Sequence, residues 1–197
     1  MKHFVFLQSV SAREYEAGKV LYDHLMDNPC IEGEIYPAIE FMAFEDMIAY
    51  INNMVNTIDV NDKIVFFMDI HSDERTFTLK DIRSQNREDF TEYHTWEQLN
   101  GILDSLNKRF GRNALLIFVS CYSSVYFSAM KSPHVYIIAA EGEINPIRAS
   151  HLLTVFYDEF CKSSNTEKAY EEMIQKYPLE VEAQKKDGFK AVLKLYK

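Results

Sequence analysis

Two residues of this sequence, a histidine and a cysteine, have the side chains of a general base and a nucleophile, and each directly follows an apolar run. His71 follows the apolar run IVFFMDI, and Cys121 follows the apolar run ALLIFVS. Such runs are typical of strands buried on both faces of a parallel sheet, and ligands bind beyond the carboxyl ends of those strands. If the two strands are neighbours, they lie about 5 Å apart. The imidazole would then accept the proton of the thiol, whose thiolate is the nucleophile, or stabilise that thiolate as an ion pair.

The residues that flank this pair predict the remaining parts of an acyl-transfer site. The backbone N–H groups of Ser72 and Cys121 are placed to form an oxyanion hole for a tetrahedral intermediate. The short helix expected after Cys121 would favour a thiolate through its N-terminal dipole. Asp69 shares a strand face with His71, so we expect it to orient the imidazole or to line a pocket. A purely structural, hydrogen-bonded aspartate is the alternative.

Two further acidic residues follow the next apolar run, HVYIIAA. Glu141 and Glu143 would give a substrate pocket negative character, and would then favour a lysine or arginine on the amino side of the scissile bond. A solvated loop explains the same two residues equally well.

The elements that must position these residues alternate between strand and helix patterns. This alternation predicts an α/β fold, a three-layer αβα sandwich with a mostly parallel central sheet, as one domain over residues 1–197. Ser11 and Glu14 have the spacing of a capping box and predict that the first helix begins there. Strands are predicted at 4–10, 35–42, 64–70, 76–79, 114–120, 134–140 and 189–196, and later helices at 44–58, 96–110, 124–130, 147–161 and 166–177.

Composition and charge restrict the classes of function. Hydrophobic residues make up 47% of the chain and the formal net charge is −9, so a packed core is expected and binding to nucleic acid or to an anionic membrane is not. The three cysteines, Cys30, Cys121 and Cys161, have neither disulfide-framework nor zinc-site spacing, and we expect Cys30 and Cys161 to be structural. No apolar run reaches the length of about 18 residues that a membrane span needs. We therefore expect a cytoplasmic protein without a metal or cofactor.

These motifs resemble those of the caspase-like cysteine peptidases, a clan that includes caspases, metacaspases, gingipains, separase and the bacterial CHAT domains. An apolar strand ending in His71-Ser72 precedes one ending in Cys121, and the separation of 50 residues is close to the roughly 50 residues of caspases. The C-terminal part is similar to CHAT domains, with Phe156-Tyr157 and Phe160 in one helix and Ala169 in the next.

The resemblance implies a caspase-like fold in which Cys121 is the nucleophile, His71 the general base, and the backbone of Ser72 and Cys121 the oxyanion hole. Two departures from the clan pattern stand out. Ser72 occupies the position where glycine is common, and the caspase motif Gln-Ala-Cys-x-Gly is replaced by Val119-Ser120-Cys121-Tyr122-Ser123. The chain is thus not a true caspase, and a preference for aspartate is not implied.

The resemblance therefore implies a CHAT-like bacterial endopeptidase that cleaves a partner protein through a thioester on Cys121 and that a separate protein activates. The alternative of another class is a catalytically inactive pseudo-peptidase that binds a partner in the same cleft. A flavodoxin-like or receiver-like domain fits the alternation too, but the chain has no glycine-rich phosphate loop and no acidic cluster after its first strand.

Overall fold

The computed structural model describes residues 1–10, 14–28, 32–80, 90–128, 135–176 and 193–197. Ser11, Cys30 and parts of the predicted elements at 124–130, 134–140, 166–177 and 189–196 lie outside these ranges. The strands are β1 (Lys2–Ser9), β2 (Glu34–Ile35), β3 (Ile39–Glu40), β4 (Lys63–Ser72), β5 (Thr76–Lys80), β6 (Phe90–Thr95), β7 (Ala114–Val119), β8 (Tyr136–Ala140) and β9 (Leu193–Tyr196). The helices are α1 (Ala17–Met26), α2 (Phe44–Thr57), α3 (Asn100–Phe110), α4 (Ser123–Ser128), α5 (Pro146–Ser163) and α6 (Thr166–Lys176).

The central sheet has the order β2-β1-β4-β7-β8-β9. Its members from β2 to β8 run parallel, whereas β9 is antiparallel to β8. A hairpin of β5 and β6 extends antiparallel from the carboxyl end of β4. The predicted α/β class with a mostly parallel sheet is confirmed, and the antiparallel additions make the sheet mixed.

Helices cover both faces of the sheet, as a three-layer sandwich requires. On one face α1, α5 and α6 pack through Leu21, Phe156 and Met173. On the other face α2, α3 and α4 pack through Ile51, Leu106 and Phe127. The central strands β4 and β7 are buried over residues 64–70 and 114–119, because apolar side chains on both of their faces meet a helical layer.

Several element boundaries differ from the sequence predictions. The predicted strand 35–42 is two short strands, β2 and β3, each pairing with β1 over two residues. The strand β6 was not predicted, because it lies in a polar stretch. The helix predicted from residue 96 begins as a 3-10 turn, Trp96–Leu99.

The first helix begins at Ala17 rather than at the predicted capping box. Its N-cap residue, Glu16, makes no side-chain cap hydrogen bond. Instead, Asp69 of β4 accepts a hydrogen bond from the N–H of Ala17 at 3.0 Å. Gly18 allows α1 to pack this close to the sheet, since a Cβ there would lie 3.0 Å from the Gln8 side chain and 3.4 Å from Phe67. The carboxylate of a neighbouring strand thus replaces the local cap.

Candidate active site

His71 and Cys121 leave the sheet at the ends of two hydrogen-bonded parallel strands. The register of β4 and β7 pairs Asp69 with Val119, and two residues further along each chain stand His71 and Cys121. The hydroxyl of Ser72 donates a hydrogen bond to the carbonyl oxygen of Cys121. The two chains therefore remain in contact beyond the end of their ladder.

Both residues line one cavity of about 300 Å³ at the carboxyl edge of the sheet. The cavity lies between the segment that joins β1 to α1 and the start of α5. Its other lining residues are Val10, Glu14, Tyr15, Asp69, Ile70, Val119, Ser120, Ile144, Asn145, Pro146 and Ile147. The site predicted from the ends of β4 and β7 is thus a concave one.

The ring of His71 is held by a carboxylate that the sequence reasoning placed elsewhere. Nε2 of His71 lies 2.9 Å from Oε1 of Glu14. An Nε2–H that donates to this carboxylate makes Nδ1 the basic nitrogen of the neutral ring. Glu14 was interpreted as a capping residue, and only the three-dimensional contact shows its proximity to His71.

A buried lysine completes this polar network. Nζ of Lys80 lies 2.8 and 3.0 Å from the two carboxylate oxygens of Glu14, and its side chain is only 1% exposed. The backbone N–H of Lys80 donates to the hydroxyl of Ser9 at 2.8 Å, which fixes β5 against the end of β1. No sequence signal pointed to this residue, which lies one position beyond the strand predicted at 76–79.

The turn that carries the thiol is fixed by several hydrogen bonds. Tyr122 has a φ of 56°, a left-handed conformation that is uncommon for a bulky residue. Its N–H donates to the carbonyl of Gly142 at 3.0 Å. Ser123 donates from its hydroxyl to the carbonyl of Ser120 at 3.0 Å and accepts from the N–H of Ala140 at 3.0 Å. These bonds tie the chain after β7 to the end of β8.

The surroundings of Cys121 disfavour its thiolate. Burial raises the pKa of the Cys121 thiol above its usual value, while the N–H of Ile144 acts in the opposite direction and the charge of Glu143 raises the pKa further. The dipole effect predicted for the helix after Cys121 stays a prediction; that helix, α4, has six residues. The thiol is therefore protonated at neutral pH until a base takes its proton.

Of the three acidic residues predicted for the site, Asp69, Glu141 and Glu143, the structure places only Asp69 in the lining of the cavity. Asp69 lines the cavity and is only 4% exposed. Burial raises the pKa of the Asp69 carboxyl to about 7, against the opposing effect of the Ala17 N–H. Glu141 pairs with Lys194 on β9. Neither Glu141 nor Glu143 is among the described residues that line the cavity.

Ser72 takes part in the site through its side chain. It is also paired with Phe77 of β5, so β4 continues into the hairpin directly beside the thiol. The oxyanion hole predicted from the N–H groups of Ser72 and Cys121 stays a prediction. Within the described residues, no group of three or more His, Cys, Asp or Glu side chains is arranged to hold a metal ion.

Comparison with known protein families and with curated proteins finds no match to this chain. Among the described residues, no helix is both long enough and apolar enough to cross a membrane.

Proposed function

We propose that this protein is a cysteine endopeptidase of the caspase-like clan with a His71–Cys121 dyad. The observation that carries the proposal is that both side chains line one cavity at the ends of adjacent parallel strands. The contact of His71 with Glu14 supports it further, because a base in a hydrolytic site is commonly oriented by a third group.

The mechanism follows from these roles. His71 takes the proton from Sγ of Cys121, and the thiolate attacks the carbonyl carbon of the scissile peptide. The resulting imidazolium gives that proton to the leaving amine, and the thioester remains on Cys121. Water, deprotonated by His71, then attacks the thioester and releases the carboxylic acid and the thiol. Glu14 stabilises the imidazolium in both steps.

The raised pKa of Cys121 favours general-base catalysis over a resting thiolate–imidazolium pair. Such a site has low reactivity until a substrate or partner excludes water and aligns the two groups. This property is compatible with activation by a separate protein, which we include in the proposal. A cytoplasmic location fits as well, because a reducing compartment preserves the thiol.

The caspase-like and CHAT-like assignment is part of this proposal. It is supported by the three-layer arrangement, by the order of His71 before Cys121, and by their positions after adjacent parallel strands.

A second candidate function is a pseudo-peptidase that binds a protein partner without cleaving it. The observation that favours it is the burial of Cys121, which raises the pKa of the thiol. The cavity and its apolar rim, where Ile147 is 45% exposed, would then serve for binding alone.

Iodoacetamide labelling followed by peptide mapping tests the proposal. Cys121 is expected to be alkylated faster than Cys161 near neutral pH, and a His71→Gln substitution is expected to slow the labelling of Cys121. Cleavage of a peptide library, read by mass spectrometry, should disappear in Cys121→Ala. Unchanged labelling in His71→Gln together with no cleavage by the wild-type protein would favour the pseudo-peptidase.

A further inference from the structure

The end of the central sheet that lies opposite to the cavity of Cys121 carries a row of cationic side chains. Lys2 of β1 and Lys63 of β4 are partners in the register of two parallel strands. Partners of this kind project from the same face of a sheet and lie about 5 Å apart at the backbone. Arg112 stands at the same end of the next strand, directly before Asn113 and β7. Three cations thus gather at one edge of a chain whose formal net charge is −9.

The charges of the two lysines are poorly compensated by the protein itself. Nζ of Lys2 donates to the carbonyl of Cys161 at 2.6 Å, which uses only one of the three protons of an ammonium group. Lys63 is half-buried, and among the described residues no carboxylate forms an ion pair with it. Burial and, to a smaller extent, the charge of Lys2 lower the pKa of the Lys63 ammonium group. Because like charges on paired strand residues destabilise a sheet, negative charge brought by a ligand would stabilise this edge.

The three cations border two adjoining cavities. Lys2, Lys63 and Ser164 line one cavity of about 470 Å³. Lys63, Arg112 and Ser164 line the other, which has a volume of about 480 Å³. Lys63 and Ser164 belong to both cavities and therefore mark the boundary between them. The guanidinium carbon of Arg112 lies 4.8 Å from the centre of the Tyr136 ring, and this contact holds the side chain at the second cavity.

Two acidic residues also line these cavities, but neither forms an ion pair with Lys63. The carboxylate of Glu167 lies 3.1 Å from Nζ of Lys197 and accepts a hydrogen bond from the hydroxyl of Tyr136 at 3.1 Å. Glu32 is exposed, so water solvates its carboxylate. The boundary between the two cavities therefore retains a positive character.

We propose that these cavities bind a phosphate group between Lys2 and Lys63, either as the free ion or as part of a small phosphomonoester. Two ammonium groups on paired strand residues can bind different oxygens of one phosphate through charge-assisted hydrogen bonds. A carboxylate is less suitable, because it has a single charge and only two oxygens in one plane. The hydroxyl of Ser164 is a further donor in both cavities. This site is independent of the proposed peptidase function.

The test is titration calorimetry of the full chain near neutral pH and at constant ionic strength. The probes are inorganic phosphate, glycerol 3-phosphate and glycerol, which is the uncharged counterpart of the ester. We expect both phosphates to bind and glycerol not to bind. Tighter binding of glycerol 3-phosphate would identify an ester as the source of the phosphate group, and tighter binding of inorganic phosphate would identify the free ion.

Lys63→Met should weaken phosphate binding about tenfold or more, because it removes one charge-assisted hydrogen bond. The matched control is Lys108→Met, which changes the net charge equally. Lys108 is an exposed residue of α3, a helix on the other face of the sheet, so this variant should bind as the wild type does. Glu32→Gln removes a negative charge from the first cavity and should tighten binding.

A second variant serves if Lys63→Met fails to fold. Ser164 has a φ of 53°, a conformation that glycine adopts readily, so Ser164→Gly should fold while it removes the hydroxyl. We expect its phosphate affinity to fall about threefold or more, the effect of one neutral hydrogen bond. The proposal is overturned if the wild type binds neither phosphate, or if Lys63→Met binds phosphate as tightly as Lys108→Met does. Unchanged affinity in Ser164→Gly has the same consequence where Lys63→Met does not fold.

Discussion

Oε1 of Glu14 lies 2.9 Å from Nε2 of His71, and the same carboxylate is held by the buried ammonium group of Lys80. The imidazole is therefore oriented from outside its own strand. Glu14 precedes α1, Lys80 belongs to the hairpin, and 66 residues separate the two.

The first prediction concerns Glu14. Glu14→Gln keeps the shape of the side chain but removes the charge that stabilises an imidazolium. We expect the rate of Cys121 alkylation near neutral pH to fall about tenfold or more, since the geometry and charge of the orienting group both contribute. Glu16→Gln, two residues away, is the control and should leave the rate unchanged. Equal rates in the two variants would show that Glu14 does not act on the dyad.

The second prediction concerns Lys80. Lys80→Met fills a similar volume but removes the buried ammonium group that binds the carboxylate of Glu14. Because removing one partner of a buried ion pair is strongly destabilising, we expect the free energy of unfolding to fall by about 3–5 kcal/mol. Chemical denaturation measures this. The double variant with Glu14→Gln should recover part of the loss, and additive losses would argue against a direct coupling.

The third prediction concerns the pH dependence of stability. The pKa of Asp69 is raised to about 7 in the folded protein, so between about pH 4 and pH 7 the folded state binds more protons there than the unfolded state does. The contribution of Asp69 to stability is thus complete at low pH and is lost as the pH rises through about 7. Asp69→Asn should remove this slope, which for one proton is at most about 1.4 kcal/mol per pH unit.

Denaturation midpoints measured across that pH range check this sign. The exposed Asp104 on α3 provides the control, because Asp104→Asn should leave the slope as in the wild type. A slope that survives in Asp69→Asn would mean that other groups cause it.

The fourth prediction concerns Ser72. Ser72→Ala removes the hydroxyl that binds the carbonyl of Cys121, at a cost of about 1 kcal/mol of stability. Because that hydroxyl also fixes the peptide bond after Cys121, the proposed nucleophile, we expect turnover of any peptide that the protein cleaves to fall more than stability alone explains. Ser72→Thr keeps the hydroxyl and should restore both. A drop in stability with unchanged turnover would limit Ser72 to a structural role.

The sequence predicted the central strands well, because continuous apolar runs admit few alternatives. The ends of β4 and β7 fall within two residues of the predicted ends. His71 and Cys121 were identified from these ends, and the structure brings both to one cavity. The acyl-transfer role of this pair itself stays a proposal.

Contacts between distant segments were not predictable in the same way. Ser11 and Glu14 fit a local capping pattern, yet the carboxylate of Glu14 contacts Lys80 and His71. The helix begins instead where Asp69 provides a cap from another strand. Local spacing contains no information about a side chain's partners elsewhere in the chain, and for the same reason Glu141 seemed as suitable for a pocket as Asp69.

The contacts of this site join segments that are far apart in the chain, and this separation also determines when the site forms during folding. Parallel pairing of β1, β4 and β7 closes long loops, which is slow compared with helix formation. The segment of Glu14, the hairpin of Lys80 and the turn of Cys121 meet only after that pairing. We therefore expect the thiol of a newly synthesised chain to have ordinary, unassisted reactivity until the last cooperative step, so that a partly folded chain lacks the proposed His71–Cys121 dyad.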